Sequence, residues 1–285
     1  MLCKDNWIDM SWDGLPARKL KENLKVEIKK QAQSLLPFEK ACDLVAEEIY
    51  SQHKNLYLGL SGGSDSENIA NVLLRNKIPF VPVILEYNHI MDPPRVNENW
   101  WAKQWCRKNQ ITPLIVYSTD YMETTLEKQR FLDIKPRLIG GPPTAGLMLD
   151  AVEEREGQLI TGYQLEYYPD YDQMTYLEPQ LGEYIGFVVE ESDLYLETLV
   201  SNRHPWGFYY WTPEIMASFV HQWDTNLNMQ ENKSEIYKTS LRPKIGYPPG
   251  YYKKSTQREQ VIKNFGTLDC ALLGTKEALL KKLVK

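Results

Sequence analysis

Residues 56–75, LYLGLSGGSDSENIANVLLR, place a run of serines and glycines where an apolar strand should pass directly into a helix. Leu56 to Leu60 is short, apolar and bounded by turn formers, the pattern of a strand buried on both faces. Ser66 to Asn76 carries Ile69, Val72 and Leu73 at helical spacing. A plain connection needs one helix cap and at most one glycine. This one has Ser61, Gly62, Gly63, Ser64, Asp65 and Ser66 in succession. Gly62 and Gly63 permit backbone angles and close approaches that a side chain forbids. Consecutive amides in such a turn, backed by a helix N-terminus, converge on one point and favour an anion, above all a phosphate. The hydroxyls of Ser61, Ser64 and Ser66 add donors. The bland reading is a Ser/Gly link with Ser64 or Asp65 as helix cap, and it uses only part of the string.

Asp65 is out of place in a bare phosphate cradle, because its carboxylate repels the anion unless a cation lies between them. Magnesium held by one carboxylate and by phosphate oxygens removes the conflict. The loop therefore predicts a magnesium-bound polyphosphate.

The flanking sequence predicts where this loop sits. A helical pattern over 26–51, interrupted near Pro37, precedes the strand. Further apolar strands are predicted at 79–86, 112–118 and 159–162, with helices over 97–109 and 144–156 between them. Strands alternating with helices at this spacing imply right-handed βαβ units and a parallel sheet. The fold class is α/β, a Rossmann-like parallel sheet with a smaller, mostly helical C-terminal part. Expected boundaries are an N-terminal arm and helix (1–39), a nucleotide-binding domain (40–165) and a C-terminal substrate or lid region (166–285). In that last region a helix is expected after Thr212, with Pro213 at its first position. A proline- and tyrosine-rich basic loop spans 237–255.

SGGSDS at 61–66 resembles the S-G-G-x-D-S signature of PP-loop ATP pyrophosphatases, a HUP-type Rossmann-like superfamily. It includes asparagine synthetase, GMP synthetase, NAD synthetase, 7-cyano-7-deazaguanine synthase and tRNA-modifying thiolases. The similarity covers about residues 40–165 and rests mainly on that motif. It implies cleavage of ATP between the α- and β-phosphates and transfer of AMP to a carbonyl or carboxylate oxygen. An amine or ammonia then displaces AMP. By the same resemblance Ser61, Gly62, Gly63, Ser64 and Ser66 bind the β- and γ-phosphates, and Asp65 holds magnesium. Main chain near Leu60, Leu85 and Glu86 receives the adenine. Thr161 and Gly162 resemble the second glycine turn, and Glu166 is the candidate for a further metal ligand, although the T-G-H-x-x-D-D string of some thiolases is missing. Arg242 and Lys244 in LRPKIGYPPG resemble a cationic loop that closes on the phosphates. The expected ligands are ATP, Mg2+ and a small-molecule or nucleobase acceptor. Ammonia comes from solution or a partner, and relatives are often homodimers.

Composition limits the competitors. A net charge of -5 argues against a general nucleic-acid binder. Cys3, Cys42, Cys106 and Cys270 form no C-x-x-C pair, which removes the expected zinc cysteines and fits a reducing, cytoplasmic setting. No apolar run reaches membrane-spanning length. The eight tryptophans and eighteen tyrosines fill a core or stack on a substrate ring. Two other readings stay open. One is a sulfonucleotide reductase-like enzyme, with Cys270 as nucleophile in a mobile tail. The other is a module that holds ATP without turning it over.

Overall fold

The structure, a computed structural model, describes residues 4–12, 24–86, 98–117, 144–162, 166–168, 184–188, 206–224, 227, 229–238, 270–272 and 276–285. Its centre is a parallel sheet of β3 (Leu56–Gly59), β4 (Val81–Glu86), β5 (Leu114–Tyr117), β6 (Gln158–Thr161) and β9 (Trp206–Gly207). The spatial order is β5-β4-β3-β6-β9. The chain thus steps outward from β3 through β4 to β5, then returns to the other side of β3 for β6 and β9. That reversal leaves a crevice beyond the carboxyl ends of β3 and β6, where doubly wound sheets bind ligands.

Helices cover both faces. α1 (Phe38–Gln52) begins after Pro37 and buries Phe38, Ala41, Cys42, Val45, Ala46 and Ile49, a stripe at i, i+3, i+4, i+7, i+8 and i+11. With α2 (Ser64–Arg75) and α3 (Glu98–Lys108) it packs on one face, over Leu56, Leu58 and Ile84. α4 (Thr144–Glu153) covers the other face, over Tyr57, Val83, Leu85, Val116 and Leu159. The central strand is therefore apolar throughout.

The C-terminal half joins the same core. A 3-10 turn, Phe208–Tyr210, leads into α5 (Pro213–Gln222), which starts at Thr212 and Pro213 as expected. α6 (Met229–Tyr237) packs on α2, and α7 (Lys276–Leu283) packs on α5. Trp211, Trp223, Tyr209 and Tyr210 are fully buried here, so these rings are core. β7 (Glu166–Tyr168), β8 (Tyr184–Val188) and β10 (Cys270–Leu272) form a small antiparallel sheet.

The helix expected from residue 26 is instead a strand at its start. β2 (Leu24–Ile28) pairs antiparallel with β1 (Ile8–Trp12). Leu24, Val26 and Ile28 recur every second residue and oppose Trp12, Met10 and Ile8. A backbone ladder of five residue pairs outweighs a helical reading of the same letters. Among the described residues no helix is long and apolar enough to cross a membrane.

Candidate phosphate-binding site

The loop of residues 61–66 lies at the carboxyl end of β3, on one side of the crevice. Gly62 has φ 83°, a conformation that disfavours any side chain. The loop then closes on itself through its hydroxyls. The Ser61 amide donates to Ser66 Oγ at 3.2 Å, and the Gly63 amide donates to Ser61 Oγ at 3.2 Å. Ser66 Oγ in turn donates to the Gly63 carbonyl at 3.1 Å. Ser61 and Ser66 thus hold the shape of the turn. The amides of Ser64 and Asp65, in the first turn of α2, have no hydrogen-bond partner among the described residues. They sit at the positive end of the α2 dipole, with Gly63 as N-cap and no side chain capping them.

Asp65 is held from three directions. Its Oδ2 pairs with Lys233 Nζ at 2.8 Å, and its Oδ1 accepts the Tyr237 hydroxyl at 2.5 Å. Its backbone carbonyl accepts the Tyr209 hydroxyl at 2.9 Å, and Asn68 Nδ2 donates to that hydroxyl at 2.9 Å. Burial, and then the Asp65 charge, push the Tyr209 hydroxyl well above its ordinary pKa, which keeps it a donor. Tyr209 and Tyr237 stack with centroids 6.1 Å apart, and Phe38 stacks on both. Lys233 has only 6% of its side chain exposed, and the Asp65 carboxylate is an acid in direct contact with its ammonium. The sequence argument for magnesium assumed a carboxylate facing the phosphate alone. The structure gives Asp65 its own cation.

Neither Lys233 nor Tyr237 was singled out from sequence. The available signal was weak. ENKSEIYK reads as a short helix whose Lys233 and Tyr237 are four residues apart on one face, and a lysine on a buried face demands an acid.

The remaining candidates divide. Thr161 ends β6, and Gly162 follows it so closely against α2 that an added Cβ would lie 3.1 Å from the Ser66 amide nitrogen. The two glycine turns therefore touch, as a shared crevice requires. Gly162→Ala should displace the first turn of α2 and weaken ATP binding by several-fold, while thermal melting moves little. Calorimetry with ATP and a melting curve read the two effects separately. Leu60 is buried and its amide donates to the Val83 carbonyl at 2.8 Å. The Leu85 carbonyl accepts Asn99 Nδ2, and Glu86 pairs with Lys103. Those strand-end groups are already engaged. Glu166 lies in β7 of the small antiparallel sheet, opposite Gly186. Its side chain, and Arg242 and Lys244, lie outside the described residues. No cluster of three metal-ligating side chains occurs among the described residues.

The cysteines bear on the sulfur readings. Burial pushes the Cys42 thiol up strongly and the Cys106 thiol to about 11, so neither is a thiolate near neutrality. Cys270 sits in β10 opposite Val188, within a paired strand rather than a tail.

No family model and no curated protein matches the chain. Among solved structures it is similar to a U34-tRNA thiolase from Methanococcus maripaludis, with 17% identity and a TM-score of 0.39 over 86% of this chain and 77% of that one. It is similar to NMN synthetase from Francisella tularensis, with 13% identity and a TM-score of 0.36 over 79% and 97% of the two chains. It is similar also to the NH3-dependent NAD synthetase of Campylobacter jejuni, with 18% identity and a TM-score of 0.29 over 86% and 89%.

Proposed function

We propose that this chain is an ATP-dependent adenylating enzyme of the PP-loop type. The observation that carries the proposal is the Ser61–Ser66 turn. Its Gly62 has φ 83°, and the amides of Ser64 and Asp65, without a hydrogen-bond partner among the described residues, stand at a helix N-terminus on the crevice of a doubly wound sheet. The β- and γ-phosphates of ATP dock on these amides, which places pyrophosphate as the leaving group. Amides fixed in place before the reaction stabilise charge that grows on the departing oxygen without reorganising. AMP passes to a carbonyl or carboxylate oxygen of a small-molecule or nucleobase acceptor, and ammonia or an amine displaces it.

Lys233 gives Asp65 a role the sequence did not show. Paired at 2.8 Å, the two charges offset each other, so an arriving triphosphate meets no unopposed carboxylate. Magnesium arrives with ATP as part of the substrate, and Asp65 is the nearest carboxylate on the loop. Arg242 and Lys244 are proposed as further cations for the pyrophosphate, and Glu166 as a second carboxylate for metal.

One observation favours a different reading. Both Asp65 oxygens are engaged by Lys233 and Tyr237 with no ligand bound, which suits a module that holds ATP without cleaving it. A single assay separates the two. The chain is incubated with MgATP and pools of carboxylate, nucleobase and amide acceptors, plus ammonium. The enzyme reading expects AMP and pyrophosphate in equal amounts with at least one pool. ATP binding without pyrophosphate from any pool supports the module.

A further inference from the structure

α6 is fixed at both ends. Near its start the buried Asn232 accepts the Asp224 amide through Oδ1 at 2.7 Å, and its Nδ2 donates to the carbonyls of Asp224 at 2.7 Å and Leu227 at 3.0 Å. At its last residue the Tyr237 ring stacks on Phe38 and Tyr209. Lys233 stands between these anchors, and its ammonium reaches Asp65 Oδ2 at 2.8 Å. The ion pair is therefore part of the packed contact between α6 and α2, unlike a pair of loose surface side chains.

The bland account is that the pair holds the two helices together. Apolar side chains of similar volume would do that at least as well. The pair also stands at a particular place. Asp65 is the residue whose own amide, with that of Ser64, lies at the N-terminus of α2 without a hydrogen-bond partner among the described residues. A triphosphate on those amides lies beside the Asp65 carboxylate, and like charges at close range repel.

Two cations can offset that carboxylate. One is the divalent ion that arrives with the nucleotide, and the other is Lys233. Among the described residues no cluster of three metal-ligating side chains occurs, and the carboxylate that would meet such an ion already carries an ammonium. Both cations act on one group, so each weakens the hold of the other on it.

We infer that Lys233 is a positioning residue that acts through Asp65: it offsets the carboxylate in advance, so the loop accepts a nucleoside triphosphate that carries no metal ion. The form of nucleotide that the loop selects is thereby set from α6. The preference for the metal-bound form is smaller than a bare carboxylate would impose. This depends on ATP docking on the loop, the reading proposed above, and not on what the bound ATP does next.

Titration calorimetry with ATP, once in EDTA and once with excess magnesium, gives two dissociation constants and their ratio. In the wild type both forms bind, and the ratio stays within about tenfold. Lys233→Met should weaken metal-free ATP by about tenfold or more and MgATP far less, so the ratio opens. Lys233→Gln, which keeps a donor for Asp65 and removes the charge, should move the ratio the same way by a smaller factor, with thermal melting confirming that each variant folds. Lys238→Met removes a charge from an exposed position just past the same helix and should leave the ratio unchanged. In Asp65→Asn the ratio should close, and adding Lys233→Met should no longer open it.

An unchanged ratio in folded Lys233→Met or Lys233→Gln, including an equal loss for both forms, makes the pair a purely structural one and overturns the inference. A ratio that still opens in the Asp65→Asn background overturns the route through Asp65. A wild type that binds ATP only with magnesium overturns it as well. Binding of neither form by the wild type is the failure of the loop reading itself, and it is seen before any variant is made.

Discussion

Asp65→Ala should lower stability by about 1.5–3 kcal/mol, the range for hydrogen bonds to a charged group, because two such bonds end on its carboxylate. Lys233 loses the carboxylate that lies 2.8 Å from its ammonium. Tyr237 loses its acceptor at the same time. Removing Lys233 instead, as Lys233→Met, should cost less, because Asp65 keeps the Tyr237 hydroxyl and some solvent. The double variant should lose less than the sum of the two single variants, since the contact they share is then removed only once. Urea denaturation of the four proteins gives the coupling energy directly. An Asp65→Ala protein as stable as wild type would show that Lys233 does not depend on this acid. The result bears on any activity assay too. Lost turnover in Asp65→Ala would report the fold as well as the chemistry, so Asp65→Asn with a matched stability measurement is the better probe of a metal role.

Gly62→Val should weaken ATP binding while the protein stays folded. At φ 83° a β-branched side chain costs about 1–3 kcal/mol, and the loop must flatten to relieve it. If that strain falls wholly on the bound state, affinity drops by about five- to 150-fold. Gly62→Ala, with a smaller side chain, should lie between wild type and valine. Calorimetry with MgATP checks the order. Equal affinity in all three folded proteins would mean that the turn does not hold the phosphates. The core should tolerate the change, because Gly62 belongs to the turn and not to either packed face of the sheet.

Much of the site was legible because its signals are local. A glycine at positive φ, a strand of four apolar residues and a helix at i, i+3, i+4 spacing are each written within a few neighbouring letters. The alternation of strands and helices then placed the loop at a carboxyl end. Where the letters were ambiguous, contacts at a distance decided. Residues 24–28 carry both a helical and a two-residue period, and pairing with Ile8–Trp12 selected the strand. Lys233 could not be read as a partner of Asp65 for the same reason, since it lies 168 residues away along the chain.

The sequence alone determined that a glycine-bearing turn stands between a buried strand and a helix, because backbone freedom and apolar period are properties of adjacent residues. Only the tertiary structure decided what surrounds it. The reversal of strand order brings Gly162 against Ser66, and α6 brings Lys233 and Tyr237 onto Asp65. Ion pairs and close contacts act over a few ångströms of space whatever the separation along the chain, so the partners of Asp65 could not be read beside it.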